Sequence, residues 1–456
     1  MADSILWHWQ DVLKAVGSAV SGDGPEMTGV SIDSRTLQQG DLFVPISEKL
    51  PAPYNQIQGA RNGHDFMASA LDRGASAGLV SRSVSTDLPL IEVDDTFQAL
   101  WRLGQYARNR LATDSSVVAV TGSSGKTTLR AWLEAVFSDQ FPTHASVNSY
   151  NNHLGVPLSL ARMPANTAKA IFEVGCNHPG EIKPLANLVR PDIAVVLNVL
   201  PVHIGHFRSI DELRREKLSI ADGLETGGVL VLHEDLPAPA NVKVISFGLS
   251  DRAEVQIVSI DEFSSERSRL KINVLGQQVL VDLPVSGRHW ALTTAACLAV
   301  LSQAGGNLDQ AAQTLSGILI PQGRGDKQIV NGFSIIDESY NANPASMLQA
   351  ITNLKRQDSG RQFAILGEML ELGEQSSQDH DNVLMACQGI DRLITVGDHF
   401  SAGQGKVGQD HYQSAQDIDI ASVVEWLRPG DTLLVKGSNA VFWGNEFVTK
   451  IRTALA

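Results

Sequence analysis

Apolar positions along this chain fall in two alternating rhythms. From residue 117 onward, short apolar runs end in Gly, Asn or an acidic residue, at 117–120, 170–174, 193–197 and 228–232, and helical spacing fills the intervals. That alternation predicts a parallel sheet covered by helices, with ligands at the carboxyl ends of its strands. After a Gly- and Pro-rich joint, Pro321-Gln-Gly-Arg-Gly-Asp326, it restarts at 334–337, 363–367, 393–397 and 432–436, which predicts a Rossmann-like domain. Before residue 110, shorter strand-like pieces at 78–81 and 90–93 sit among turn-rich stretches and predict a small α/β domain standing apart. The expected class is α/β in three domains, 1–110, 111–320 and 321–456, with the parallel sheet in the central one.

Length agrees, since 456 residues exceed what one ordinary core holds. Lys and Arg number 36 against 50 Asp and Glu, a formal charge of -14, and no basic run follows a nucleic-acid backbone. Nucleic acid is thus not an expected partner, and an anionic ligand must be held by local donors. Cys176, Cys297 and Cys387 are scattered without C-x-x-C spacing, which fits small buried hydrophobes in a reducing compartment rather than zinc. The amino terminus lacks a basic-then-apolar leader and no apolar run is long enough for a membrane span, so the cytoplasm is the expected location.

The strand at Val117 runs into Gly122-Ser123-Ser124-Gly125-Lys126-Thr127-Thr128. The common phosphate loop has a glycine six residues before its lysine, where this chain has Val120, so the loop is of a shorter kind. Leu129, Trp132, Leu133, Val136 and Phe137 then trace one face of a helix, whose amino-terminal amides favour phosphate. Lys126 would neutralise the β- and γ-phosphates, and Thr127 or Thr128 would offer a hydroxyl to Mg²⁺. A solvated lysine on a Gly/Ser turn is the competing explanation; it does not require a buried strand before the turn and an amphipathic helix after it.

Glu173 closes a predicted strand, where a carboxylate can complete a magnesium site, although single strand-end acids are usually solvated. A helix over 210–224 opens on the capping box Ser209-Ile-Asp-Glu212, and its apolar stripe is interrupted by Lys217. Periodicity alone favours a snorkelling lysine there. In Asp337-Glu-Ser-Tyr340-Asn341-Ala-Asn343-Pro344, a strand ends at Asp337, Asn343 suits an N-cap and Pro344 suits the first helical position. His203 and His206, spaced i, i+3 in a loop, are a weak pointer to metal.

Together, Asp33-Ser-Arg35, Thr121–Thr128, Asn151-Asn-His-Leu-Gly-Val-Pro157, Glu173-Val-Gly-Cys-Asn-His-Pro-Gly-Glu-Ile182, Asp337–Asn343, Gly367–Gly373 and Lys436-Gly-Ser438 resemble the Mur ligases over nearly the whole chain. The resemblance is to the branch that adds D-alanyl-D-alanine to UDP-N-acetylmuramoyl-tripeptide with ATP and Mg²⁺, through an acyl phosphate, acting as a monomer. It implies that Asp33, Ser34 and Arg35 help bind the uridine diphosphate, and that Asn151, Asn177 and His178 face the muramoyl-peptide. It implies Lys126 and Thr127 for ATP, Glu173 and His203 for magnesium, and Asp337, Tyr340, Asn341 and Asn343 for nucleotide and closure contacts. Lys217 aligns with a lysine carbamylated in several members, which would make it an oxygen ligand for a hard cation and reverses the snorkelling preference. The chain departs from the family at Trp290 and Thr293, where asparagines are usual, at Gly205, where an acid is usual, and at Asn439, where an arginine is usual. Competing readings are another amide ligase of the superfamily, such as a folylpolyglutamate synthase, and a weakly active nucleotide-binding homologue.

Overall fold

The computed structural model describes residues 5–47, 50, 54, 62–147, 149–201, 204–264, 267–357, 360–403 and 410–456. Among them, β1 (Gly29–Ser31), β2 (Asp41–Phe43), β3 (Ala77–Val80) and β4 (Leu90–Glu92) form a parallel sheet in that order. A second sheet holds β5 (Ser116–Thr121), β6 (Thr143–Ala145), β7 (Lys169–Glu173), β8 (Ile193–Val196), β9 (Val229–His233), β10 (Lys243–Gly248), β11 (Val255–Ser264), β12 (Arg267–Val274) and β13 (Gln277–Leu283). Its order is β13-β12-β11-β10-β9-β8-β5-β7-β6, parallel from β6 to β11 and antiparallel across β11-β12-β13. The third sheet contains β14 (Asp326–Val330), β15 (Phe333–Glu338), β16 (Gln362–Gly367), β17 (Arg392–Val396), β18 (Asp410–Tyr412) and β19 (Thr432–Lys436), ordered β14-β15-β19-β16-β17-β18 with only the first pair antiparallel.

Strand alternation divides the second sheet's core. Val117 and Ala119 of β5 face helices Thr96–Asn109, Gly155–Ala161 and Ile182–Val189, whereas Val118 and Val120 face helices Lys126–Ser138 and Arg288–Gln303. From β5 the chain crosses past β7 to β6, and after β7 it crosses back to β8 on the other side. The carboxyl end of β5 is therefore a topological switch point, the position at which open α/β sheets bind ligands.

The first sheet does not stand apart as the sequence suggests. Trp7, Leu42, Leu79 and Leu100 belong to the same buried cluster as Val117 and Phe172. Helix 96–109 buries one broad face, Thr96, Phe97, Ala99, Leu100, Leu103, Gly104 and Ala107, that serves both sheets, and Gly104 lets it close on helix 155–161: a Cβ there would meet the Pro157 carbonyl oxygen at 3.1 Å. Trp7 also donates its indole N–H to the Ala161 carbonyl at 2.8 Å.

On helix Ser376–Ala386, which packs against the third sheet, His380, 1% exposed, is held as one tautomer. Its Nδ1 donates to the Ser376 carbonyl at 2.7 Å, and its Nε2 accepts from the Met369 amide at 3.0 Å. Burial, opposed by the bond to Ser376, lowers its pKa below the usual 6.5, and burial does the same at His64 and His153. The folded state thus binds fewer protons than the unfolded chain below pH 6.5, and stability falls on acidification through that range. Thermal midpoints measured from pH 7.5 to 5 should decline, and His380→Gln should flatten the slope; an unchanged slope would remove His380 as a source.

Candidate functional site

The loop after β5 is shaped from the neighbouring strand. Asn198, just beyond β8, accepts from the Ser124 amide at 3.0 Å and donates to the Ser124 carbonyl at 3.1 Å. Ser123 exchanges two 2.9 Å bonds with the backbone of Leu200. Gly125 caps the helix in the left-handed region, φ 83°, where a β-carbon would be strained. Helix Lys126–Ser138 follows, with Thr127 and Thr128 buried in its first turn and the predicted stripe of Leu129, Trp132, Leu133, Val136 and Phe137 fully buried. Lys126 Nζ folds back to donate to the Gly122 carbonyl at 2.8 Å. Loss of hydration, then repulsion from Lys217, brings its pKa down to about 8.

Glu173, 1% exposed, lies at the end of the adjacent β7. Its Oε2 accepts from the Thr127 hydroxyl and its Oε1 from the Asn151 amide, each at 2.7 Å. Ser149 Oγ is 3.2 Å from Thr127 Oγ1 and accepts from Arg324 Nη2 at 3.0 Å. Arg324 comes from the Gly/Pro-rich joint, and its guanidinium lies 3.9 Å over the Tyr340 ring. Lys217 does not snorkel: it is 2% exposed, with Nζ 3.8 Å from Cys176 Sγ. The adjacent Glu216 accepts from the amides of Gly180 and Ile182 at 2.7 and 2.8 Å, pinning this helix to the Asn177–Glu181 turn. The amides of Asn177 and His178 donate to Glu181, and the His178 ring lies 4.5 Å from that of His206. His203 lies outside the described residues.

The fold thus brings together Gly122–Thr128, Asn151, Glu173 and Lys217, with Tyr340 joined to them through Arg324. Other candidates stand elsewhere. Asp33 accepts from the Arg35 amide at 2.9 Å and from its guanidinium at 2.7 Å, with buried Ser34 between them. Among the described residues no hydrogen bond or ion pair joins these three to the phosphate loop. Asp337 accepts from the Ser339 amide and hydroxyl at 3.1 and 2.6 Å, Asn341 bonds the amide of Ala342, and Asn343 caps helix Pro344–Lys355 as its sequence suggests. Sequence reasoning passed over Asn198, Ser149 and Arg324. An arginine in a glycine-rich joint was the one visible signal; the other two resemble ordinary loop residues.

The Mur ligase middle domain family matches residues 120–301, and the Mur ligase glutamate ligase domain family matches 324–439. The UDP-N-acetylmuramoyl-tripeptide--D-alanyl-D-alanine ligase of Bacillus subtilis is 32% identical, with 91% of each chain covered. The chain belongs to the Mur ligase family. The Escherichia coli enzyme of the same name is 30% identical over 91% of both chains. A crystal structure of MurF from Acinetobacter baumannii superposes with TM-score 0.85 at 25% identity, covering 98% of this chain and 99% of that one. MurF ligase from Thermotoga maritima, in complex with ADP, shares the fold at TM-score 0.79 and 23% identity, covering 94% and 97%.

Three departures of this Mur ligase, at Trp290, Thr293 and Gly205, have a structural setting. Trp290 stacks on Trp132 of the phosphate-loop helix, ring centres 5.5 Å apart, and lines a cleft of about 530 Å³ between the second and third sheets. Thr293 turns its hydroxyl back to the His289 carbonyl at 3.0 Å, so it offers no amide to that cleft. At Gly205 the third domain comes close: a Cβ would lie 3.2 Å from the Gly373 nitrogen and 3.3 Å from the Glu371 oxygen, leaving no room for an acidic side chain unless that loop shifts. Nothing in the structure explains Asn439.

Proposed function

We propose that this Mur ligase joins D-alanyl-D-alanine to UDP-N-acetylmuramoyl-tripeptide with ATP, releasing ADP and phosphate. The carrying observation is the convergence of Lys126, Thr127 and Glu173 at a short phosphate loop. The similarity to UDP-N-acetylmuramoyl-tripeptide--D-alanyl-D-alanine ligases, which covers 91% of this chain for the Bacillus subtilis enzyme, supports these two substrates.

In this reading the γ-phosphoryl group passes to the terminal carboxylate of the tripeptide. The acyl phosphate formed has a good leaving group; the dipeptide amine attacks its carbonyl, and phosphate departs as the amide forms and the amine gives up a proton. Loop amides and Lys126 bind the nucleotide phosphates and offset charge that develops on them during transfer. Thr127 and Glu173 would supply hard oxygen donors of the kind magnesium requires, Lys217 would add another once carbamylated, and His203 would add a ring nitrogen. Magnesium, when bound, would supply further neutralisation of the phosphates. Asp33, Ser34 and Arg35 of domain 1–110 hold the uridine diphosphate, and Asn151, Asn177 and His178 of domain 111–320 face the peptide. Domain 321–456 contributes Asp337, Tyr340, Asn341 and Asn343 to nucleotide and closure contacts, and closure keeps water from the acyl phosphate.

Phosphate release is the test, measured with ATP, magnesium, UDP-N-acetylmuramoyl-tripeptide and D-alanyl-D-alanine, omitting each in turn. Turnover should require all four. Turnover without the dipeptide, or dependent on a folate, would sink this function.

A further inference from the structure

Four side chains from four separate parts of the chain meet in one hydrogen-bonded row: Arg324, Ser149, Thr127 and Glu173. Donor and acceptor roles in the row are forced. A guanidinium only donates and an ionised carboxylate only accepts. Thr127 spends its one proton on Glu173 at 2.7 Å, so the 3.2 Å contact with Ser149 is made by the serine's proton to a threonine lone pair. Ser149 in turn accepts from Arg324 at 3.0 Å. The row therefore runs in one direction, from the joint that leads into the third domain to the carboxylate behind the phosphate loop. Both carboxylate oxygens of Glu173 are occupied, the second by Asn151.

We infer that Ser149 is a positioning residue that ties Arg324 in the interdomain joint to Thr127 in the phosphate loop, so that filling the loop with magnesium nucleotide is transmitted to the third domain. A cation that took the Thr127 oxygen would compete for the lone pair Ser149 uses, and the serine would relay the change to Arg324, which donates to the same hydroxyl. Arg324 can pass it on, because its guanidinium lies over Tyr340 of the third domain, and the backbone of its neighbour Gly325 donates to the Asp337 carbonyl at 2.8 Å. Among the described residues of the loop 146–152, Ser149 is the one that bridges both partners. Ser149 itself needs to touch neither nucleotide nor peptide.

The inference rests on the proposed ATP-dependent function, but its main readout does not use the peptide substrates. Small-angle scattering of the full chain with magnesium and ATP alone should show a fall in radius of gyration, and Ser149→Ala should lose at least half of that fall. Calorimetry should find its ATP affinity within about threefold of the parent, since Lys126 and the loop amides remain. In the ligase assay kcat should drop about tenfold with KM for ATP little changed, and Ser149→Thr, which keeps the hydroxyl, should recover most of both effects. Compaction and kcat unaltered in Ser149→Ala would overturn the coupling, as would a parent that does not compact. A variant that loses ATP affinity and thermal midpoint together, without recovery in Ser149→Thr, would reduce Ser149 to a structural part. Compaction without ligase turnover would leave the coupling standing and count against the proposed substrates instead.

Discussion

A Lys126→Met variant is expected to form amide at least about a thousandfold more slowly than the parent, a loss of about 4 kcal/mol of transition-state stabilisation. Lys126 is the lysine of the phosphate loop, and its ammonium is fixed over the loop by the bond to Gly122. Phosphoryl transfer asks the protein mainly to position groups and neutralise charge, so losing a charge held in place is felt in kcat more than in binding. Methionine keeps much of the side-chain volume. The fold should persist, and its thermal midpoint should hold or rise, because burial and the nearby Lys217 already disfavour the charged amine. Phosphate release and calorimetric unfolding on the same preparation check both halves. A rate loss under tenfold would remove Lys126 from the chemistry.

Lys217→Ala should cost at least about a hundredfold in turnover, about 2.7 kcal/mol. The lysine is 2% exposed, and its one hydrogen-bond partner among the described residues is the Cys176 thiol at a long 3.8 Å. A buried ammonium with so poor a partner is costly, whereas a carbamate made with carbon dioxide would turn it into an oxygen donor near Lys126. Truncation to alanine removes that donor and leaves a space. Millimolar formate or acetate should enter it and restore part of the activity in Lys217→Ala but not in Lys126→Met. Isotope-labelled bicarbonate should give a carbamate signal in the parent that Lys217→Ala lacks. No rescue together with no labelled adduct would rule out the modification.

Much of the fold was legible because burial leaves a period in the sequence. The runs at 117–120, 170–174, 193–197 and 228–232 are β5, β7, β8 and β9 to within a residue or two at each end. Asn343 and Pro344 begin their helix as cap and first residue because each satisfies a local backbone need. Other elements escaped. The antiparallel extension β11–β13 follows no β-then-α alternation, and the helix expected over 210–224 stops at Leu218 and tightens into a 3₁₀ turn over Ser219–Gly223. Apolar spacing of i, i+3 suits both helix types, so it does not mark the change. Lys217 shows the limit most plainly, since periodicity alone points its amine to solvent while packing encloses it.

The sequence by itself determined whatever lies within one strand, turn and helix: the short loop Gly122–Thr128, its lysine, the amphipathic helix that follows and the acid that ends its own strand, Glu173. These depend on contiguous residues, and contiguous residues set backbone periodicity and local hydrogen bonding. Only the tertiary structure decided which side chains complete the site. Thr127 and Glu173 are 46 positions apart, Ser124 and Asn198 are 74 apart, and Ser149 and Arg324 are 175 apart. The strand order β8-β5-β7 and the return of the joint to the loop bring them within hydrogen-bond reach, and no local pattern encodes that order.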